Sequence, residues 1–560
     1  MDSKILAGTF LGFLLVVALV GVLVFNPFNS NTSLDNGMVG TVNQSGNNTT
    51  TTNNIDILPS PNPLLTFIPL SSGVNSQYSS SESLSPDPGP SPDPMVNIII
   101  AFDAYFQTRF KDANIPAAAA VIVQNDKIIY MKTLGVKDLA SGEPVDEDTL
   151  FGICSLTKQF SATNVAQYVS QGLMSWGDPI TKYFLSSSEF QLYNNEVTNH
   201  FTIRDSLTMR SGLEENSGDD YYTYFNNSFA TSLYNLRYLE NVTPFRSTYA
   251  YQNLLYAVPG FCAAKANNMS WNELIKKDLL DPLGMTNTKT SYWDFISSSN
   301  HVTPYTLLKN GTLVPYDIIP DGVGPAGGIY MSISEMANWL KFQIADTGYY
   351  NGQKILNKTE LDETRTGQTP KNTNPLSWYC MGWHLKSDGT LYHEGASVAQ
   401  YTHLTLYPAK GLAIAIFTNG GYYGISLKKS CNDKFKNLIN CDFNFDTWTR
   451  NYDWATNELK PKLPTPPIVD QTLPLSGYTG VYFNDLFGNI NITTYDNTLI
   501  CQYGTDSRTY ELKHWNYDVF EEQKNNHFFN FTDISSGTAH QVDVKLTNTP
   551  ENVTFNRTDR

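Results

Sequence analysis

Thr149-Leu-Phe-Gly-Ile-Cys-Ser-Leu-Thr-Lys-Gln-Phe-Ser-Ala162 is the stretch on which the reading of this chain turns. Ser155 and Lys158 stand three residues apart at the start of a run with helical periodicity (Leu156, Phe160, Val165, Val169). That spacing puts the hydroxyl and the amine on one face, about one turn apart. A serine hydroxyl is a poor nucleophile unless a base lies within hydrogen-bond reach. A lysine serves as that base only when burial or neighbouring cations lower its pKa from about 10.4. The free N–H groups of a helix start can also face a developing negative charge. Ser155 is therefore the candidate acyl-transfer nucleophile. Ser-x-x-Lys recurs at Ser426–Lys429, and for a lone match the blander reading is a helix-capping serine with a solvated lysine, so the downstream context has to carry the choice.

Just upstream, Ala117–Gln124, a turn at Asn125-Asp126 and Lys127–Met131 read as a hairpin, preceded by an apolar helix over Ile98–Phe110. Before that, residues 26–94 are rich in Asn, Ser, Thr and Pro, and no Lys or Arg occurs between Lys4 and Arg109. Such a segment cannot bury enough surface to offset its ordering entropy and reads as a disordered stalk. Residues 1–25 hold a 21-residue uncharged run, Ile5–Phe25, in which Thr9 is the only polar side chain. It is long enough to span a bilayer, and no convincing cleavage site follows. The expectation is a cytosolic tip and a signal-anchor, single-pass, with the rest of the chain extracellular or luminal, or secreted if the segment is removed. Thirteen Asn-x-Ser/Thr sequons between Asn31 and Asn556 agree with a glycoprotein on that side.

Downstream, helix fragments and aromatic loops fill residues 201–318, and a helix over Ile333–Phe342 carries Ser332 as its cap. Strand patterns return at Gly382–Leu385, Tyr401–Tyr407 and Leu412–Thr418. Strands thus bracket a helical middle, which predicts one α+β domain over 95–450 with its sheet assembled from both ends. Residues 451–470 read as a linker, and 471–560 as a small all-β domain. At 560 residues and 41% hydrophobic content the chain can bury a large core. Its net charge of −16 and lack of a Lys/Arg-rich block argue against a nucleic-acid partner. Of six cysteines, Cys431 and Cys441 are close enough in sequence to form a disulfide across a local loop; Cys154 reads as a buried free thiol.

Two more segments complete a possible site. Tyr251-Gln-Asn253 offers a phenol to pass a proton and an amide to hold a carbonyl or the lysine. His393-Glu-Gly395 could supply the wall opposite the nucleophile, its glycine letting a backbone N–H approach a tetrahedral oxyanion. Each is weak alone, since a surface loop or a turn histidine explains either. In the order Ser155-x-x-Lys158, Tyr251-x-Asn253, His393-x-Gly395, the chain resembles the serine β-lactamase-related hydrolases: class C β-lactamases, penicillin-binding proteins, D-aminopeptidases and related esterases. Flanking segments carry the same resemblance, including Leu207–Leu213, Pro282–Met285, Ala326-Gly-Gly328 and Met381-Gly-Trp383.

The resemblance implies a β-lactamase/transpeptidase-like fold, an antiparallel sheet flanked by helices with a helical subdomain, followed by a small β domain. It implies catalytic roles for Ser155, Lys158 and Tyr251. Asn253 would orient, and the backbone at Ser155 and Ala396 would hold the oxyanion beside His393 and Gly395. No metal or organic cofactor is implied. In the β-lactamases the third motif usually begins with lysine, a fixed cation for a substrate carboxylate; here it is His393, with a partial charge near neutrality. Glu394 either keeps His393 protonated or faces solvent. The expected activity is a serine hydrolase acting on small esters, amides or D-amino-acid peptides, with weak or no β-lactamase activity. The alternative is a catalytically inactive, β-lactamase-like receptor or binding glycoprotein.

Overall fold

A hairpin upstream of Ser155 and six strands from the distant end of the same domain build one sheet. The structure is a computed structural model describing residues 93–316, 322–460 and 469–558. Helix α1 (Pro94–Ala113) leads into β1 (Ala117–Gln124) and β2 (Lys127–Gly135). The middle of the chain is mainly helical, with α2 (Thr157–Ser170), α3 (Asp219–Thr223), α4 (Asn253–Ala266) and α5 (Ile333–Ala345) used below. Then come β3 (Thr369–Thr373), β4 (Leu376–Tyr379), β5 (His384–Lys386), β6 (Leu391–Ala396), β7 (Gln400–Tyr407) and β8 (Leu412–Asn419), followed by α6 (Gly421–Leu438) and α7 (Trp448–Glu458). The sheet order is β2-β1-β8-β7-β6-β5-β4-β3, antiparallel throughout, with Ala117 and Gln400 both paired to Asn419 across β8.

Both faces of the central strands are covered, which explains why β1 and β8 read as nearly unbroken apolar runs. Alternation at period two sends Ala118, Ala120, Ile122, Ile414 and Ile416 to one face, against α1, α6 and Trp448 of α7. Ala119, Val121, Val123, Ala413 and Ala415 go to the other, in a core shared with α2 and α5. In that second core the Phe160 and Trp339 rings stack at 3.9 Å, both fully buried. Trp339→Ala is expected to cost about 3–5 kcal/mol in denaturant unfolding, because so large a void cannot close by relaxation. Helix α2 is buried on every side from Thr157 to Tyr168, and its polar residues are bonded inside: Trp339 donates to Gln159 and Ser161 donates to the Pro325 carbonyl.

Eight further strands between Gly480 and Arg557 close into a barrel. Within the described residues the fold is thus a β-lactamase/transpeptidase-like α+β domain followed by an all-β domain. Two expectations need correction. Residues 451–458, assigned to a linker, belong to α7, whose Trp448 packs into the core with α1 and α6. Cys431 and Cys441 do not pair, and all six cysteines are free. Cys431 sits in α6 facing the core while Cys441 lies exposed beyond the helix end, so the helix directs the two apart. No helix among the described residues is long and apolar enough to cross a membrane. The expected anchor, nearly all of the stalk and the four N-terminal sequons lie outside the described residues.

Candidate active site

Ser155 sits in a single 3₁₀ turn, Cys154–Leu156, between the short strand Phe151–Gly152 and α2. Cys154 holds φ +50°, a left-handed conformation that a residue other than glycine adopts only when its surroundings enforce it. The enforcing contacts come from the sheet and the helical layer. Gly152 N–H donates to Gln400 Oε1 (2.8 Å), Thr402 Oγ1 donates to the Ile153 carbonyl (2.9 Å), and Ile153 N–H donates to the Ile329 carbonyl (3.0 Å). Ser155 alone in the turn keeps partial exposure.

The amine of Lys158 is fully buried and meets three oxygens: Ser155 Oγ at 3.1 Å, Asn253 Oδ1 at 2.6 Å and the Ala326 carbonyl at 2.8 Å. Burial drives its pKa down to about 7, against the opposing pull of Asp219 and Cys154. A neutral amine has two N–H bonds and one lone pair. With Asn253 and Ala326 accepting the two N–H bonds, the lone pair is left facing the Ser155 hydroxyl. Tyr251 donates to Ser155 Oγ at 2.8 Å, and burial raises its phenol far from ionisation. The arrangement therefore supplies a proton acceptor in Lys158 and a proton donor in Tyr251, one on each side of the same hydroxyl.

Strand β6 forms the opposite wall. A Cβ on Gly395 would lie 2.3 Å from the Ile153 carbonyl oxygen and 2.2 Å from Thr402 Oγ1, so only glycine lets β6 approach the nucleophile turn this closely. Ala396 follows it, paired with Tyr401. Gly382 serves the same end elsewhere: at φ +82° it packs on the Lys158 backbone, where a Cβ would be 2.8 Å from the carbonyl carbon.

His393 faces the site from β6. Its Nδ1 lies 2.7 Å from the Glu394 carbonyl, its Nε2 lies 3.5 Å from the Tyr379 hydroxyl, and its ring is 6.5 Å from that of Tyr251. Burial, with Lys158 and Lys371 nearby, pushes its pKa down to about 3. It is neutral at pH 7, not partly charged as its ordinary pKa led one to expect. Neither expectation for Glu394 holds. Its carboxylate points to the other face of the sheet, 3.1 Å from His403 Nδ1 and 3.4 Å from Lys428 Nζ, largely buried, where it cannot sustain a charge on His393.

All seven expected residues converge on this turn. Three supports went unrecognised. The Ala326 carbonyl lies inside Pro325–Gly328, already notable in sequence. Gln400 and Asp219 carry no local signal, since each works only through a partner more than thirty residues away.

The sequence profile of the beta-lactamase family matches residues 102–427. The chain belongs to this family. Residues 464–557 match a domain family of unknown function (DUF3471). Among beta-lactamase-related relatives, unguisins hydrolase ungD of Aspergillus violaceofuscus is 24% identical over 418 residues, covering 67% of this chain and 73% of its own. Penicillin-binding protein 4 of Amycolatopsis lactamdurans is 24% identical over 339 residues, covering 57% and 85%. Among solved structures, an octameric penicillin-binding protein homologue from Pyrococcus abyssi superposes with a TM-score of 0.54 at 18% identity, covering 81% of this chain and 99% of that one.

A neutral Lys158 sets a pH dependence. Below about pH 7 the amine is protonated and cannot accept the Ser155 proton, so acylation is expected to rise with pH through a midpoint near 7. A kcat/KM profile between pH 5 and 9 checks this; a profile flat across pH 6–8 contradicts it.

Proposed function

We propose that this beta-lactamase-family serine hydrolase cleaves small esters, amides or D-amino-acid peptides through an acyl-enzyme, with weak or no activity on β-lactams. The observation that carries this is the set of contacts at one hydroxyl: Ser155 Oγ lies 3.1 Å from Lys158 Nζ and 2.8 Å from the Tyr251 hydroxyl. Lys158 Nζ takes the Ser155 proton as Oγ bonds to the substrate carbonyl. The backbone at Ser155 and Ala396 faces the resulting oxyanion. Tyr251 gives its phenolic proton to the leaving group and recovers one from Lys158, and water then releases the acyl group. The uncharged, buried His393 favours neutral acyl substrates, since no fixed cation stands at the head of the third motif to bind a penicillin-type carboxylate.

Membrane anchoring through Ile5–Phe25, with the hydrolase domain outside the cytosol, is part of the same proposal. None of the nine described sequon asparagines is buried, as glycosylation would require. The test is a hydrolysis panel of p-nitrophenyl esters, D-amino-acid amides and β-lactams, alongside fluorophosphonate labelling of wild type and Ser155→Ala. Turnover of esters or amides with label confined to wild type supports the proposal. β-Lactam turnover exceeding both other classes, or no label on folded wild type, overturns it.

A further inference from the structure

The loop that straps the second motif runs straight into the core of the C-terminal barrel. Residues 214–219 touch all three residues of Tyr251-Gln-Asn253. Asn216 N–H donates to the Tyr251 carbonyl (2.7 Å), Gln252 Nε2 donates to the Glu214 carbonyl, and Asn253 Nδ2 donates to Asp219 Oδ2 (2.7 Å). Five of the next six residues, all but Tyr222, contact the barrel. Asp220 accepts from the backbone N–H (2.9 Å) and the side chain (2.7 Å) of Asn548. The Tyr224 hydroxyl is 2.7 Å from Thr547 Oγ1, and Arg508 Nη2 donates to the Thr223 carbonyl at 3.1 Å. Tyr221, Tyr224 and Phe225 are nearly or fully buried in the barrel's own hydrophobic core; the Phe225 ring lies 5.4 Å from Tyr503 and 5.9 Å from Phe555.

We propose that the barrel is an integral part of the active site. Through residues 214–225 it holds the second motif in register, and Asp219 is the positioning residue that turns the Asn253 amide toward Lys158. This rests on the reading of Ser155 as the nucleophile and Lys158 as its base. An asparagine side chain presents an acceptor at one atom and donors at the other. Flipped, Asn253 would set its oxygen against the Asp219 carboxylate, a repulsive contact in a buried site, and its NH₂ against the Lys158 amine, where it would occupy the lone pair that faces Ser155. The Asp219 carboxylate therefore fixes the sense of the amide, and the amide fixes the direction of the Lys158 lone pair. Asp219 cannot take this place unless α3 is held, and beyond Asp219 the barrel bonds α3 at Asp220 and Thr223. A buried carboxylate with no barrel contact would be free to turn with its loop; here its sequence neighbour Asp220 is bonded twice to one barrel asparagine.

Around Lys158 the polar and charged groups are the Ser155 hydroxyl, the Asn253 amide, the Ala326 carbonyl, the Tyr251 and Tyr256 rings, the Asp219 carboxylate, the Cys154 thiol and, further off, His393. Asp219 is the carboxylate that raises the Lys158 pKa, so removing its charge has a sign that can be read.

The experiment compares full-length wild type with Asp219→Asn and Asn548→Ala, measuring fluorophosphonate labelling rate against pH, kcat and KM on p-nitrophenyl butyrate, and the thermal unfolding midpoint. For Asp219→Asn the expected result is at least a tenfold slower labelling at the optimum and an acidic limb displaced to lower pH. A purely structural loss would leave that limb in place. Asn548→Ala, on the barrel side, is expected to lower kcat at least threefold with KM little changed. Should it fail to fold, Tyr224→Phe takes its place, keeping the ring in the barrel and removing only the bond to Thr547. Folded variants with wild-type rates and an unmoved limb overturn the coupling while leaving the nucleophile intact. Folded wild type that takes no label overturns the nucleophile, and the proposal with it.

Discussion

A Lys158→Met variant is expected to lose about a thousandfold in kcat/KM on an activated ester, with an unchanged unfolding midpoint or a slightly raised one. General-base catalysis contributes about 10²–10⁴-fold, and Lys158 Nζ lies 3.1 Å from Ser155 Oγ, within the reach that such a transfer needs. Methionine has a similar length and no charge, so the cost of burying an amine in the shell of Tyr251, Tyr256 and Ala326 disappears. The acidic limb of the pH profile should vanish with the amine. Steady-state kinetics against pH on purified variant and wild type decide the matter. A Lys158→Met enzyme within tenfold of wild type would show that some other group takes the proton. Ser155→Ala should retain no covalent label at all.

Gly395→Val should be nearly as damaging by a different route. Its Cβ alone would land 2.3 Å from the Ile153 carbonyl oxygen and 3.2 Å from the Cys154 Cβ. Two strands and the nucleophile turn meet there, bonded by Thr402 to Ile153 and by Gln400 to Gly152, so nothing flexible can yield. Strand β6 has to back away from Ser155, carrying the Ala396 backbone with it. Losing one oxyanion donor costs about 10²–10³-fold in kcat, and overpacking costs about 1–3 kcal/mol in stability. The expected signature is a kcat loss of that order, with slowed fluorophosphonate labelling and a lower unfolding midpoint. Wild-type kcat in the variant would mean that β6 is not the oxyanion wall.

The parts of the molecule that were legible in sequence are those whose signals are local. Apolar runs and turn residues gave the hairpin Ala117–Met131 and the strand Leu412–Thr418, and Ser332 emerged as the cap of α5, accepting from Glu335 N–H. The barrel strands showed themselves by short alternating segments. What misled was local as well. Prolines from Pro461 to Pro467 suggested a linker that began too early, because the aromatic face of α7 that docks Trp448 has too few turns to stand out. The ten-position separation of Cys431 and Cys441 suggested a loop closure that the direction of α6 forbids. Asp219, which turns Asn253, looked like any acidic surface residue.

From residue order and spacing, and the resemblance they carry, came the family pattern, the strand-helix-strand plan and the candidate nucleophile with its candidate partners, because a serine, a lysine, a phenol and an amide announce their chemistry wherever they stand. The fold alone settled their states. The Lys158 amine has its pKa lowered to about 7 only because α2 buries it among Asn253, Ala326 and two tyrosine rings. His393 is uncharged only because β6 seals it beside that same amine. Desolvation and charge proximity are properties of surroundings, and the surroundings of each group are drawn from segments far apart in the chain.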